Sequence, residues 1–173
     1  MREDRGVRDV VILGSTGSIG IQALEVVAAN PDKFRVVGLS AGSGNLPLLF
    51  EQAIQFGVQI VGTSAEKSPD APVGVKVLHG VRASSEIATI KCDVLINGIT
   101  GSIGLAPTLA ALEAGNIVAL ANKESLVAGG SLVMKYGRDR IIPVDSEHSA
   151  LFQCMLAGKE NEISKVILTA SGG

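Results

Sequence analysis

Short runs of uninterrupted apolar residues alternate along the chain with stretches whose apolar residues recur at helical spacing. The runs predict strands at residues 9–13, 35–39, 58–61, 92–96, 117–120, 140–144 and 165–169, with "VKVLHG" as a further short candidate. Their cores, "VVIL", "VLI" and "IVAL", are apolar on both sides of the pleat, as expected when helices cover both faces of a sheet. Between them, Ile19, Ala23, Val26 and Val27 follow i, i+4, i+7, i+8 spacing up to a stop at Asn30-Pro31. Leu105, Leu109 and Leu112 form a second stripe, closed by Gly115 where a helix favours glycine. The polar, proline-bearing "TSAEKSPDAPVG" reads as a surface loop. Strand and helix in alternation predict an α/β fold: a doubly wound, mostly parallel, Rossmann-like sheet.

Composition sharpens this picture. Of 173 residues, 46% are apolar and 18% charged, against about 25% charged in ordinary soluble chains. That balance suits a well-buried architecture and argues against disorder. A net charge of −2 offers no electrostatic case for a nucleic-acid or membrane-surface partner. No apolar run approaches the roughly 20 residues of a membrane span. The charged start "MREDRGVRD" lacks the apolar centre of a signal peptide, so a cytoplasmic location is expected. Cys92 and Cys154 form no CxxC pair and read as two small core residues in a reducing compartment. The chain stops at "SKVILTASGG", a strand and glycine turn with nothing after them, so it is expected to be the N-terminal part of a longer protein.

One pentapeptide, "TGSIG", occurs twice, at residues 16–20 and 100–104. The first copy lies in "GSTGSIG", directly between a predicted strand and an amphipathic helix. Its glycines permit a tight turn, and the helix N-terminus offers free N–H groups to a pyrophosphate. The spacing is GxxGxxG rather than GxGxxG, so the context carries the reading. The second predicted strand ends in "LSAGSGN" without the acid that holds a ribose 2′-OH in NAD sites. Ser40, Ser43 and Asn45, with the backbone around Gly42 and Gly44, suit a 2′-phosphate, which favours NADP.

The second copy is followed by Pro107, which tolerates only the first turn of a helix. Its helix is therefore expected to start near Leu105 or Ala106, after the loop. With strand order 3-2-1-4 and "VKVLHG" peripheral, both copies border one crevice, the second toward the nicotinamide side, where Asn97-Gly98 keeps the wall small. A loop of small residues without function is the alternative.

In "LANKESLVAGG", Lys123 could bind a phosphate, polarise a substrate oxygen, or simply be solvated at a helix start. In "PVDSEHSALFQ", Asp145 and Glu147 would project to one side of an extended chain and suit a hard cation such as Mg²⁺ or Mn²⁺. The competing reading is an acidic helix N-terminus. His148 stands beside them, and only Glu160 and Glu162 follow as acids.

"ILGSTGSIG", "LANKESLV", "PVDSEHSALFQ" and "ILTASGG", in this order and spacing, resemble the 1-deoxy-D-xylulose 5-phosphate reductoisomerase family. The resemblance implies an NADPH- and metal-dependent oxidoreductase that rearranges its sugar phosphate and reduces the product to 2-C-methyl-D-erythritol 4-phosphate, a step in isoprenoid synthesis. It implies an NADPH-binding domain over residues 1–143 and the start of an α/β catalytic domain over 144–173. It also implies a homodimer for the full-length protein. By the same resemblance, Thr16, Gly17, Ser18 and Ile19 hold the pyrophosphate, and Gly42, Ser43 and Asn45 surround the 2′-phosphate. Asn122 and Glu124 touch the nicotinamide half. Lys123 and Glu147 are catalytic and contact substrate with Ser146 and Ser171, while Asp145 and Glu147 bind the metal. Where relatives often read "AGKN" this chain has "AGSGN", without the lysine. The third metal carboxylate and the lid lie beyond Gly173, so residues 1–173 are expected to bind cofactor without full activity. Another NADP-linked reductase, such as a semialdehyde dehydrogenase, would need a nucleophilic cysteine that neither Cys92 nor Cys154 supplies. A non-catalytic nucleotide-binding module is the other alternative.

Overall fold

The computed structural model describes residues 6–167. Its strands are β1 (Arg8–Leu13), β2 (Phe34–Ala41), β3 (Ile60–Thr63), β4 (Lys76–His79), β5 (Val94–Asn97), β6 (Val118–Leu120) and β7 (Ile141–Pro143). The helices are α1 (Ser18–Ala28), α2 (Leu46–Gln55), α3 (Ala83–Ala88), α4 (Leu105–Glu113), α5 (Lys123–Val133) and α6 (Ser146–Leu156). The strands form one sheet in the order β4-β3-β2-β1-β5-β6-β7, and every pairing is parallel. "VKVLHG" supplies β4 at the edge, and "DVLIN" supplies β5 beside β1. The winding reverses between β1 and β5, which is the switch point of a doubly wound fold.

Alternation along β1 divides the core. Val10 and Ile12 face Leu24 and Val27 of α1 and Leu49, Phe50 and Ala53 of α2. Val11 and Leu13 face Ile87 of α3, Ala111 and Leu112 of α4 and Val133 of α5. Helices therefore cover both faces of the sheet, which is why the central strands are apolar at consecutive positions. Truncating a fully buried central residue such as Leu39 removes contacts on one whole side of the sheet and costs about 3 kcal/mol.

Helix ends follow the local chemistry. Asn45 caps α2 by accepting from Leu48 N at 3.2 Å, with Pro47 in the first turn. Gly115 (φ +82°) closes α4. Neither α2 nor α3 was singled out by apolar spacing.

Three expectations are corrected. The buried face of α1 is Gly20, Leu24 and Val27, while Ile19 and Val26 are exposed. Gly20 sets this rotation, because a Cβ there would lie 2.3 Å from Gly14 O, so the helix packs through its glycine rather than its isoleucine. Residues 163–167 form no strand, and Ile163, Val166 and Ile167 are exposed. An extended segment needs a ladder partner, and none adjoins it among the described residues; residues 168–169 lie outside them. Cys154 is exposed on α6, which buries none of its residues, whereas Cys92 is buried as expected.

Candidate functional site

Loops at the carboxyl ends of five adjacent strands carry the candidate residues. In the spatial order β2-β1-β5-β6-β7 they are residues 42–45, 14–19, 98–104, 122–124 and 145–147. Four inter-strand steps separate the first group from the last, roughly 19 Å in all.

After β1, the N–H groups of Gly14 and Ser15 both donate to Ser40 O at 2.8 Å, turning the chain sharply back over β2. Gly14 has φ +76°, and a Cβ on it would lie 2.9 Å from the backbone of Gly98. Gly17, at the N-cap of α1, provides no side-chain cap, so the first N–H groups of the helix point outward unblocked. Gly17, Ser18 and Ile19 are exposed and Thr16 is half-buried. After β2, Gly42, Ser43 and Asn45 are likewise exposed, in a short 3₁₀ turn ahead of α2.

The second TGSIG forms a 3₁₀ turn over Ser102–Gly104, and α4 starts at Leu105, as Pro107 requires. It is held from behind. Buried Asn97 donates to Gly104 O at 3.0 Å and to Thr108 Oγ1 at 2.8 Å, and accepts from Ile99 N at 3.1 Å. Asn122, 2% exposed, donates from Nδ2 to Gly101 O at 2.7 Å and also to Ile99 O. Its Oδ1 caps α5 through Ser125 N at 2.7 Å and Ser125 Oγ at 2.8 Å. The Asn122 side chain is thus wholly committed to the protein. Sequence reasoning took Asn97 only as part of a small wall and missed both its hydrogen bonds and Thr108; their signal was a polar residue at the end of an apolar strand and another within an apolar helix.

Lys123 and Glu124, exposed in the first turn of α5, follow Asn122 directly. Beyond β7, Asp145 is the N-cap of α6 and Ser146 and Glu147 begin that helix. The two acids are therefore arranged by a helix start and not by extended chain, because the Asp145 carboxylate accepts from His148 N at 3.1 Å and captures the turn. His148 Nδ1 also lies 2.7 Å from the Asp145 carboxylate, and Ser146 Oγ donates to Glu147 at 3.0 Å. Burial pushes the Asp145 carboxyl up, but His148 and the charge of Lys123 outweigh it and hold it below its ordinary value. Glu147 is lowered by its own backbone N–H, then by Ser146 and by Lys123. Lys123 thus acts on both acids across the β6–β7 gap. Among the described residues no three His, Cys, Asp or Glu side chains are placed to hold a metal ion together. Ser171 lies outside them.

These features define a class, a Rossmann-like α/β protein with a lysine and two ionised carboxylates beside its glycine turns. A family model described as 1-deoxy-D-xylulose 5-phosphate reductoisomerase matches residues 10–130, and one for that enzyme's C-terminal domain matches residues 141–173. A reductoisomerase of that name from Beutenbergia cavernae is 52% identical over 96% of this chain and 45% of its own length. The solved reductoisomerase from Zymomonas mobilis in complex with NADPH has a TM-score of 0.77 at 36% identity, over 86% of this chain and 41% of its own. Another, in complex with NADPH, fosmidomycin and magnesium, also gives 0.77 at 36% identity, over 86% of this chain and 39% of its own. The chain belongs to the 1-deoxy-D-xylulose 5-phosphate reductoisomerase family. It spans about half the length of the relatives it matches.

Proposed function

We propose that this chain is the cofactor-binding part, with the start of the metal- and substrate-binding part, of an NADPH-dependent 1-deoxy-D-xylulose 5-phosphate reductoisomerase. The observation that carries the reading is the convergence of Lys123, Asp145 and Glu147 at the ends of β6 and β7, beside two interlocked glycine turns at the switch point. Solved relatives in complex with NADPH, and with NADPH, fosmidomycin and magnesium, support it.

The residues fit both groups. For NADPH, the uncapped N-terminus of α1 and the exposed Thr16, Gly17, Ser18 and Ile19 offer backbone donors to a pyrophosphate. Gly42, Ser43 and Asn45 offer hydroxyl, amide and backbone donors to the 2′-phosphate, with no carboxylate to repel it. The second turn walls the nicotinamide side, backed by Asn122, with Glu124 at its rim. For the cation, Asp145 and Glu147 are ionised hard oxygen donors, and Mg²⁺ is commonly held by one or two carboxylates with substrate and water completing its shell. When bound, NADPH supplies hydride and the divalent cation supplies Lewis acidity.

Each side chain then has a definite task. Lys123 fixes substrate by charge and helps keep both carboxylates ionised. Ser146 offers a hydroxyl to substrate oxygens, with its own orientation set by Glu147. Ser171, which lies in "ASGG" outside the described residues, is assigned to the sugar phosphate. We place the boundary between the cofactor domain (1–143) and the catalytic part (144–173) where the sheet ends, because α6 beyond it buries no residue against the body. The homodimeric state and cytoplasmic location of the whole protein rest on the family resemblance and the sequence; among the described residues no helix is long and apolar enough to cross a membrane.

The test is an assay of NADPH binding and oxidation with 1-deoxy-D-xylulose 5-phosphate and Mn²⁺. Residues 1–173 are expected to bind NADPH, with or without a chelator, and to oxidise none. Turnover by this chain alone, or loss of NADPH binding on chelation, would contradict the assignment.

A further inference from the structure

The first glycine turn is also held by a residue that neither sequence motif contains. Gln52 lies on α2, is 5% exposed, and donates from Nε2 to Ser15 O at 2.9 Å across 37 positions of chain. Ser15 and Ser40 beside it are fully buried, and Ser40 O receives the N–H groups of both Gly14 and Ser15. Helix α2 itself begins immediately after Ser43–Asn45, with Asn45 as its cap. One helix thus carries at its start the segment that faces the 2′-phosphate and, two turns later, the amide that grips the pyrophosphate turn.

The satisfaction of these groups is lopsided. Among the described residues Gln52 Oε1 and the Ser15 and Ser40 hydroxyls have no hydrogen-bond partner. A buried amide satisfied on one side only returns little net stability, since the desolvation of its unpaired Oε1 offsets the one bond it makes. Its single bond ends on the carbonyl of the turn.

We infer that Gln52 is a positioning residue that locks the pyrophosphate turn to α2, so that the 2′-phosphate segment and the pyrophosphate turn are presented at a fixed separation. This rests on the reading of NADPH as cofactor. A ligand anchored at both ends gains from a rigid separation, and a ligand held at one end gains nothing from it.

The test compares wild type with Gln52→Met, which keeps length and removes the donor, and with Gln52→Glu. Three readouts are taken: NADPH affinity, affinity for 2′-AMP as a probe of the adenosine end alone, and amide hydrogen exchange over residues 14–20. Gln52→Met is expected to unfold at a slightly lower denaturant concentration, because Ser15 O loses its donor while the unpaired Gln52 Oε1 is removed with the amide. It should weaken NADPH about tenfold, leave 2′-AMP unchanged, and speed exchange in the turn. Gln52→Glu should recover NADPH affinity as the pH falls, because only the protonated carboxyl can donate to Ser15 O. Equal weakening of NADPH and 2′-AMP, or unchanged exchange in the turn of Gln52→Met, would overturn the inference. If wild type binds 2′-AMP but not NADPH, the cofactor assignment fails instead, while the exchange measurement still decides whether Gln52 locks the turn.

Discussion

The two copies of TGSIG have the same five residues and different backbones. Gly17 in the first has φ −84° and ψ 170°, whereas its counterpart Gly101 has φ +79° and ψ −177°. The last glycines differ as well. Gly20 abuts the backbone of Gly14 and Ser15, while Gly104 abuts the Asn122 side chain. The first copy opens a helix whose N-terminus stays free; the second is tied from behind by Asn97, Thr108 and Asn122. Identity of a short motif therefore fixes little when the next residues and the packing behind it differ. Pro107, by delaying α4, and Asn122, by reaching back from the next strand, make the second copy a wall.

Substitutions that respect or violate this difference test it, and the largest effect falls on the first copy. Gly20→Ala places a methyl 2.3 Å from Gly14 O and 2.5 Å from Ser15 Cα, both backbone. Helix α1 would have to move off the turn, costing about 3 kcal/mol in urea denaturation and abolishing NADPH binding. Next comes the tie behind the second copy. Asn122→Ala removes the α5 cap and both bonds to the second turn, an expected loss of about 2 kcal/mol. Asn122→Ser, which keeps a capping hydroxyl but loses both loop bonds, should fall between it and wild type; no loss of stability in this variant would mean that the loop contacts contribute nothing.

The paired glycines sharpen the contrast. Gly101→Ala meets open space but must adopt a backbone region reserved for glycine, costing about 1–2 kcal/mol. Gly17→Ala has an allowed φ and only a 3.3 Å approach to Gly14 O, so its loss in the same denaturation experiment should be smaller. The reverse ranking would mean that the two turns have been assigned the wrong geometries.

A smaller effect separates the sheet body from α6. Burial pushes the Cys92 thiol up from 9.0 to about 11, while Cys154 is exposed. At pH 8, iodoacetamide should label Cys154 and spare Cys92 until the chain unfolds. An unfolded thiol ionises near 9.0 and the folded one only near 11, so the folded state holds its proton longer. This contribution to stability is full below pH 9 and is lost as pH rises toward 11. Replacing Cys92 with Ala should flatten that alkaline slope.

Much of this was legible in the sequence, for identifiable reasons. Continuous apolar runs marked strands covered on both faces, and Pro107 located the start of α4 to within a residue. What escaped depended on partners distant in sequence. Asn97 and Gln52 look like ordinary polar residues of a strand end and a helix, and nothing local reveals that they are buried with their amides on the backbone of Gly104 and Ser15. The exposed side of α1 was misjudged because a glycine contact, which leaves no apolar signature, sets its rotation. Asp145 and Glu147 were legible as a pair of acids, yet their arrangement comes from a helix cap, because the contact with His148 three residues on competes successfully with extended chain. The exposure of Cys154 escaped for a similar reason, since apolar neighbours such as Leu151 and Met155 imitate a core helix.

Two copies of one motif are proposed to make a single cofactor site, which calorimetric titration of the folded chain with NADPH decides. One NADPH per chain is expected, with binding lost in Gly20→Ala. Two equivalents per chain, or one equivalent that survives Gly20→Ala unchanged, would contradict it.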